Sequence, residues 1–185
     1  MTDFVPRVAL GDFDMIKPAI TFENARKLFD VVDRNRVEFS RWFRWMDFVH
    51  SPEDEFAQLK SIADPTVCKY LLMSGNNDII GNVGVVEQSR ANKTAELGYW
   101  LDVGARGRGI MTRAVSAVQD FLFKTGEINR IQIRAAVENM PSRKVALRLG
   151  YIEEGIQRQA EVVRDNLIQD VVMYSKLKSE WEKER

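Results

Sequence analysis

Residues 96–115, ELGYWLDVGARGRGIMTRAV, constrain the fold of this chain more tightly than any other stretch. A strand-like run leads into a loop with glycines at 104, 107 and 109, and the loop opens a helix-periodic segment. Glycine lets the backbone turn sharply and approach a ligand with no Cβ in the way. The helix that follows brings unpaired N–H groups and the positive end of its dipole to the same point. Arg106 and Arg108 add full charges, so the loop suits a phosphate or pyrophosphate. Spacing argues against two common nucleotide loops. The Lys-Ser/Thr pair of a P-loop is missing, and Thr112 stands where a dinucleotide fingerprint needs glycine or alanine. A tight solvated turn with arginines for solubility is the competing reading of the loop alone.

Periodicity places this loop within a larger order. TFENARKLFDVVDRN has an N-cap in Thr21 and apolar residues at Phe22, Ala25, Leu28, Phe29 and Val32, the spacing of an amphipathic helix. In VEFSRWFRWMDFVH the apolar stripe is too wide for one face of a surface helix; it is either core or the aromatic wall of a pocket or dimer seam. Ser51, Pro52 and Asp54 open a third helix. TVCKYLLM, DIIGNVGVVEQ and TAELGYWLD then read as antiparallel strands joined by the turns SGNND and SRANK. GIMTRAVSAVQDFLFKTG is a helix with Ile110, Ala114, Val118, Phe121 and Leu122 on one face and Gly126 past its end. NRIQIRAAV is a strand and MPSRKVALRLG a short helix. YIEEGIQRQAEVV and IQDVVMYSKLK form a hairpin turning at RDN, and SEWEKER is a charged tail. Helices, strands, helix, strand, helix and hairpin make an α+β domain around one mixed sheet.

Composition bounds the function. Lys plus Arg and Asp plus Glu number 27 each, which leaves no basic field for nucleic acid. No apolar run approaches the roughly 18 residues of a membrane span, and the amino terminus lacks a secretory pattern, so a cytoplasmic location is expected with no membrane partner. One His and one Cys exclude a His/Cys metal cluster, so no metal is expected. Cys68, in an apolar strand-like run, reads as a buried inert thiol rather than as a nucleophile paired with His50.

The loop resembles motif A of the GNAT superfamily of N-acetyltransferases, [QR]-x-x-G-x-[GA], with Gly107 and Gly109 on the two glycine positions and Gly104 in place of the first Gln or Arg. The blocks AELGYWL, GRGIMTRAV, NRIQIRAAVENMPSRKVALRLGY and EEGIQRQA are similar, in order and spacing, to the RimJ/RimL type within it. The likeness covers nearly the whole chain. It implies one N-acetyltransferase domain over residues 1–185, with flanking helices and a mostly antiparallel sheet splayed in the middle. It implies acetyl-CoA as co-substrate, its pyrophosphate on residues 104–112 and its pantetheine where AELGYWL and NRIQIRAAV part. The cofactor-binding set implied is Leu101, Asp102, Val103, Arg106, Gly107, Arg108, Gly109, Ile110, Met111, Thr112, Asn139, Ser142 and Arg143.

Attack of an amine on a thioester needs a base, an oxyanion donor and a proton for the leaving thiolate. Glu96 begins the strand that leads to the loop, on the face of Gly98 and Trp100. It is the candidate base, directly or through water; an ion pair on a sheet face is the alternative. The resemblance places the oxyanion donor on a backbone N–H at a bulge near Tyr99 to Leu101. Ala146 stands where many superfamily members carry the acidic Tyr, and the RimL-like pattern assigns that role to Ser142, with Asn139 holding the pantetheine amides. Tyr151 reads as core. The acceptor is then the N-terminal amine of a protein, flanked by RWFRWMDF and the last hairpin. A polyamine or amino sugar is a second reading, which Asp47, Glu53, Asp54 and Glu55 leave open. A CoA-binding module without catalysis is a third. The wide aromatic stripe and the strand edges are compatible with a homodimer.

Overall fold

A computed structural model describes residues 7–61, 69–164 and 167–185. Cys68 and the Asp165-Asn166 turn expected above lie outside them. Strand and helix alternate as their periodicities require, and the eight strands hydrogen-bond in the order β1-β2-β3-β4-β5-β6-β8-β7. The first two, β1 (Arg7–Ala9) and β2 (Phe13–Ile16), form a hairpin absent from the sequence reading. Strands this short carry too little alternation to register, yet Phe13 and Met15 are both buried in the core.

Helix α1 (Phe22–Arg34) begins where Thr21 Oγ1 accepts from Asn24 N at 3.2 Å, a cap worth about 1 kcal/mol. The aromatic segment after it is not one helix. It breaks into α2 (Arg36–Phe39), a turn, and a 3₁₀ segment at Arg44–Phe48. Helix α3 (Pro52–Ser61) starts at Ser51, whose Oγ accepts from Asp54 N at 3.2 Å, while Asp54 Oδ2 accepts from His50 N at 2.9 Å. The meander follows as β3 (Lys69–Ser74), β4 (Ile79–Ser89) and β5 (Thr94–Leu101), all antiparallel.

Helix α4 (Ile110–Thr125) lays Ile110, Ala114, Val118 and Leu122 into the core and ends at Gly126, φ +77°, whose N–H reaches Phe123 O. Strand β6 (Arg130–Ala136), helix α5 (Met140–Arg148) and the long hairpin of β7 (Ile152–Arg164) and β8 (Leu167–Leu177) complete the sheet. The expected charged tail is instead a helix, α6 (Lys178–Lys183). Trp181 is buried against Phe123, with its indole N–H on Asp120 Oδ1 at 2.7 Å, and Glu180 accepts from Leu177 N at 2.8 Å. One anchored aromatic converts a solvated charge run into a docked turn of helix. Among the described residues no helix is long and apolar enough to cross a membrane.

Each face of the sheet has its own core. Leu97, Val83, Ile131 and Ile133 pack under α4 and α5, whereas Leu71, Met73 and Trp100 pack under α1, α3 and Phe39. Alternation along β5 thus sends Leu97 to one side and Trp100 to the other.

Candidate active site

The site follows from how little β5 and β6 pair. They run parallel over only three register pairs, the last being Glu96 opposite Gln132. Beyond it β5 stays on β4 and β6 stays on β8, so the sheet opens between residues 97–101 and 133–136. A cavity of about 950 Å³ fills the opening and reaches both faces.

On the α4 face the glycine loop forms one wall. Gly107 and Gly109 hold φ +80° and +69°, and a Cβ on either would meet nothing within 4 Å. Gly109 is the N-cap of α4 and supplies no capping side chain, which leaves first-turn N–H groups open to the cavity beside Ile110, Met111 and Thr112. Arg106 lines the same wall, its Nη1 donating to Glu38 Oε1 at 2.9 Å, and that hydrogen bond holds the Glu38 carboxyl below its ordinary range. An uncapped helix start, a backbone cradle with room above it and a nearby guanidinium fit a phosphate-bearing co-substrate.

The structure separates the expected binding residues into two groups. Leu101, Arg106, Gly107, Gly109, Ile110, Met111, Thr112, Asn139 and Ser142 line the cavity. Asp102, Val103, Arg108 and Arg143 do not. The Asp102 carboxylate takes hydrogen bonds from Arg34, from Asn35 Nδ2 at 3.2 Å and from Gly104 N at 3.2 Å, so it ties the loop to α1. Val103 N donates to Asn35 Oδ1, and Arg108 pairs with Asp12 at 2.8 Å on the outer side of the loop. Arg143 turns away to Tyr174 OH at 2.9 Å and Val137 O at 2.9 Å. Lys144 and Arg148, one helical turn apart, line the cavity in its place. Helical spacing would have found them.

Asn139 caps α5, its Oδ1 accepting from Ser142 N at 3.3 Å. Ser142 Oγ donates to Tyr99 OH at 3.1 Å, and Tyr99 OH donates to Ser142 O at 3.2 Å. Tyr99 therefore bridges the opening from β5 to α5, and burial pushes its phenol up to about 12. Sequence reasoning missed this tyrosine, although alternation from Leu97 assigns it to the α5 side. Tyr151 is core, as expected, and Ala146 is fully buried.

Glu96 stands on the opposite face with Arg134, two residues along β6 past its partner Gln132, whose Nε2 donates to Glu96 Oε2 at 3.4 Å. Burial raises the Glu96 carboxyl above its ordinary value; Arg134 and Gln132 oppose the rise, and Glu87 and Glu161 add to it. The strand bulge expected near Tyr99 to Leu101 lies instead on β4 at Val86, opposite the Glu96–Leu97 step. The backbone of β5 beyond Glu96 is freed by the loss of β6, not by a bulge of its own.

Of the aromatic stripe, Phe39 and Met46 are buried, and Trp42, Phe43 and Trp45 face the cavity, so the segment is both core and wall. The β7–β8 hairpin closes over this side, with Gln169 Nε2 on Arg41 O at 2.9 Å, and brings Glu161 to the lining. Of the acids near the stripe, Asp54 caps a helix and Glu53 is exposed, whereas Glu55 is buried and lines the cavity.

Comparison with known proteins agrees with this geometry. The family model described as an acetyltransferase (GNAT) domain matches residues 17–152. The chain is 30% identical over 162 residues to the ribosomal-protein-serine acetyltransferase of Escherichia coli (strain K12), a match covering 86% of this chain and 90% of that one. The microcin C7 self-immunity acetyltransferase MccE, solved with acetyl-CoA and AMP, superposes with a TM-score of 0.84 at 27% identity, over 91% of this chain and 93% of that one. RimL, a ribosomal L7/L12 alpha-N-protein acetyltransferase solved with coenzyme A, superposes with a TM-score of 0.85 at 24% identity, over 92% and 97% of the two chains.

Proposed function

We propose that this chain, which belongs to the GNAT acetyltransferase family, transfers an acetyl group to the N-terminal α-amine of a protein by direct attack on the acetyl-CoA thioester. The observation that carries the reading is the parting of β5 and β6, which joins a phosphate-suited wall on the α4 face to an aromatic, carboxylate-bearing pocket on the other. Bound acetyl-CoA supplies the activated acyl carbon and a thiolate leaving group.

The chain's own groups answer the remaining demands. Glu96, raised by burial, is a stronger base than an ordinary glutamate, and an α-ammonium, with an ordinary pKa of about 8, gives up its proton roughly two units more readily than an alkyl ammonium. Backbone N–H groups of β5 past Glu96 have no β6 partner and can donate to the developing oxyanion. Ser142, at the first turn of α5, hydrogen-bonded to Tyr99 and lining the cavity, is the group this reading assigns to donate to the departing sulfur. Tyr99 is too weak an acid to lose its own proton at neutral pH but can re-aim the serine hydroxyl by donating to it.

The pocket is not an acidic well for a polycation. Lys69 and Arg134 line it beside Glu55, Glu96 and Glu161, and a lining of mixed sign disfavours spermidine relative to a chain terminus with a single positive charge. The test is thiol release from acetyl-CoA across peptides with varied free N-termini, spermidine and an aminoglycoside. Peptide turnover with the acetyl group located on the α-amine by mass spectrometry supports the reading. Turnover of spermidine or the aminoglycoside in preference to every peptide overturns it.

A further inference from the structure

The cavity continues away from the opening, across the α1/α3 face of the sheet, over a floor set by register. Lys69 of β3 lies opposite Gly84 of β4, and Gly84 lies opposite Gly98 of β5. Residues directly opposite in a ladder share a face. Leu71 and Met73, in step with Lys69 along β3, belong to the core under α1 and α3. Lys69 therefore stands on that face, with two glycines between it and the opening. At ordinary strand spacing the floor from Lys69 to Gly98 is about 10 Å long. The bulged Val86 leans over its near end, where a Cβ on Gly98 would come within 2.6 Å of Val86 Cγ1.

At the far end Glu55 descends from α3. It is 3% exposed and Asn82, on the floor beside Trp100 in register, is 7% exposed. Both face the cavity with Lys69. Among the described residues none of these three side chains has a hydrogen bond, and Glu55 and Lys69 feel each other's charge without forming an ion pair. Burial pushes the Glu55 carboxyl up and the Lys69 amine down, each toward its neutral form. Glu55 and Asn82 are buried and Lys69 is half-buried; polar groups held largely away from water without a protein partner are costly, and three around one void amount to a site held open for a ligand.

Their chemistry defines that ligand. Glu55 accepts, Lys69 donates and Asn82 does both. A cation would meet Lys69 and an anion would meet Glu55. We propose that Glu55, Lys69 and Asn82 bind an uncharged side chain that both donates and accepts, a hydroxyl or a carboxamide, carried on one of the first two residues of the acceptor. The reach agrees: with consecutive Cα atoms about 3.8 Å apart, the side chains of those two residues span the floor from an amine at the opening. The inference rests on the acceptor being a protein N-terminus, and it makes this end of the cavity the selector among N-termini.

The experiment is kcat/KM for peptide pairs matched except at position one or two, Ser against Ala and Asn against Leu, for wild type, Glu55→Met, Glu55→Gln, Lys69→Met and Asn82→Leu. Thermal melts establish which variants fold. Wild type should favour the polar member of a pair by about tenfold or more at one of the positions, since a site built to hydrogen-bond rejects the analogue that cannot. Glu55→Gln, which keeps an accepting oxygen, should retain part of that ratio, and it should fall to within about twofold of unity in Lys69→Met and Glu55→Met. No polar preference in wild type, or a preference that survives in those two Met variants, overturns the proposal. Should no peptide turn over, calorimetric titration of the same peptides into CoA-loaded protein decides. A polar preference in binding that Lys69→Met removes upholds the subsite while the acceptor reading falls; its absence there overturns the subsite.

Discussion

Replacing Gly107 or Gly109 with alanine separates backbone strain from ligand contact. Both glycines hold φ in the left-handed region, +80° and +69°, and a Cβ on either meets nothing within 4 Å. With no clash, the cost in the free protein is conformational strain alone, about 1–2 kcal/mol per substitution. For a chain of 185 residues the entropy of unfolding is roughly 0.4 kcal/mol per degree, so Tm should fall by about 2–5 °C. Binding should suffer more. The new methyl group occupies the space above the cradle and displaces an anion from backbone donors. Loss of one charge-assisted hydrogen bond, about 1.5–3 kcal/mol, weakens CoA binding by roughly ten- to 150-fold. Gly126→Ala is the control: φ is +77°, the nearest atom to its Cβ is Lys178 Nζ at 3.9 Å, and it sits at the opposite end of α4. Calorimetric melting and CoA titration should show similar Tm losses for all three variants and an affinity loss for the loop pair alone. Unaltered CoA affinity in both loop variants would refute the assignment of this loop to the phosphates.

Glu96→Gln should lower kcat/KM by about 10²-fold or more, and in wild type the acid limb should lie above the ordinary glutamate range because burial raises that carboxyl. Arg134 favours the charged form of Glu96, so Arg134→Met should carry the limb to still higher pH; a pH–rate profile that does not move discards Glu96 as the base. Ser142→Ala should cut kcat by about tenfold or more, Tyr99→Phe by less, and the double variant should match Ser142→Ala because the two hydroxyls act as one unit; additive losses in rapid-quench turnover would show that they do not. Glu38 is held low by its hydrogen bond from Arg106, so its contribution to stability is present above the unfolded glutamate pKa and is lost as pH falls through the lowered folded value. With Glu38 partly exposed that contribution is at most about 1 kcal/mol, and the gap in Tm between wild type and Glu38→Gln should be seen at pH 7 and close in acid.

Local signals carried the middle of the chain well. Thr21, Ser51 and Gly126 punctuate helices by capping chemistry that acts within a few residues, and each ends or begins a helix where its neighbours indicated. Alternation in TAELGYWLD and NRIQIRAAV placed Glu96 correctly on the face of Trp100. What escaped depends on partners distant in sequence. Trp181 makes a helix of a charged tail only because Asp120 and Phe123 wait on α4. Asp102 and Arg108 look like loop ligands until Arg34, Asn35 and Asp12, far earlier in the chain, are seen to claim them. The bulge moved to β4 because the register of two strands is a property of the pair, and nothing in β5 alone records it. The resemblance pointed to Ser142, which lines the cavity, but the phenol it touches comes from 43 positions away.

The two cores, one on each side of the sheet, never merge. The sheet is thus a partition with a doorway at the β5–β6 opening, and each side is close to a separate thermodynamic account. Substitutions such as Leu59→Ala on α3 and Val118→Ala on α4 fall in different cores, so their costs should add. On the proposed function, a lineage can therefore repack the side assigned to the acceptor, changing what it admits, without retuning the side assigned to the donor. Divergence of substrate range in such a chain is mechanically cheap, and it is confined to one side of a wall.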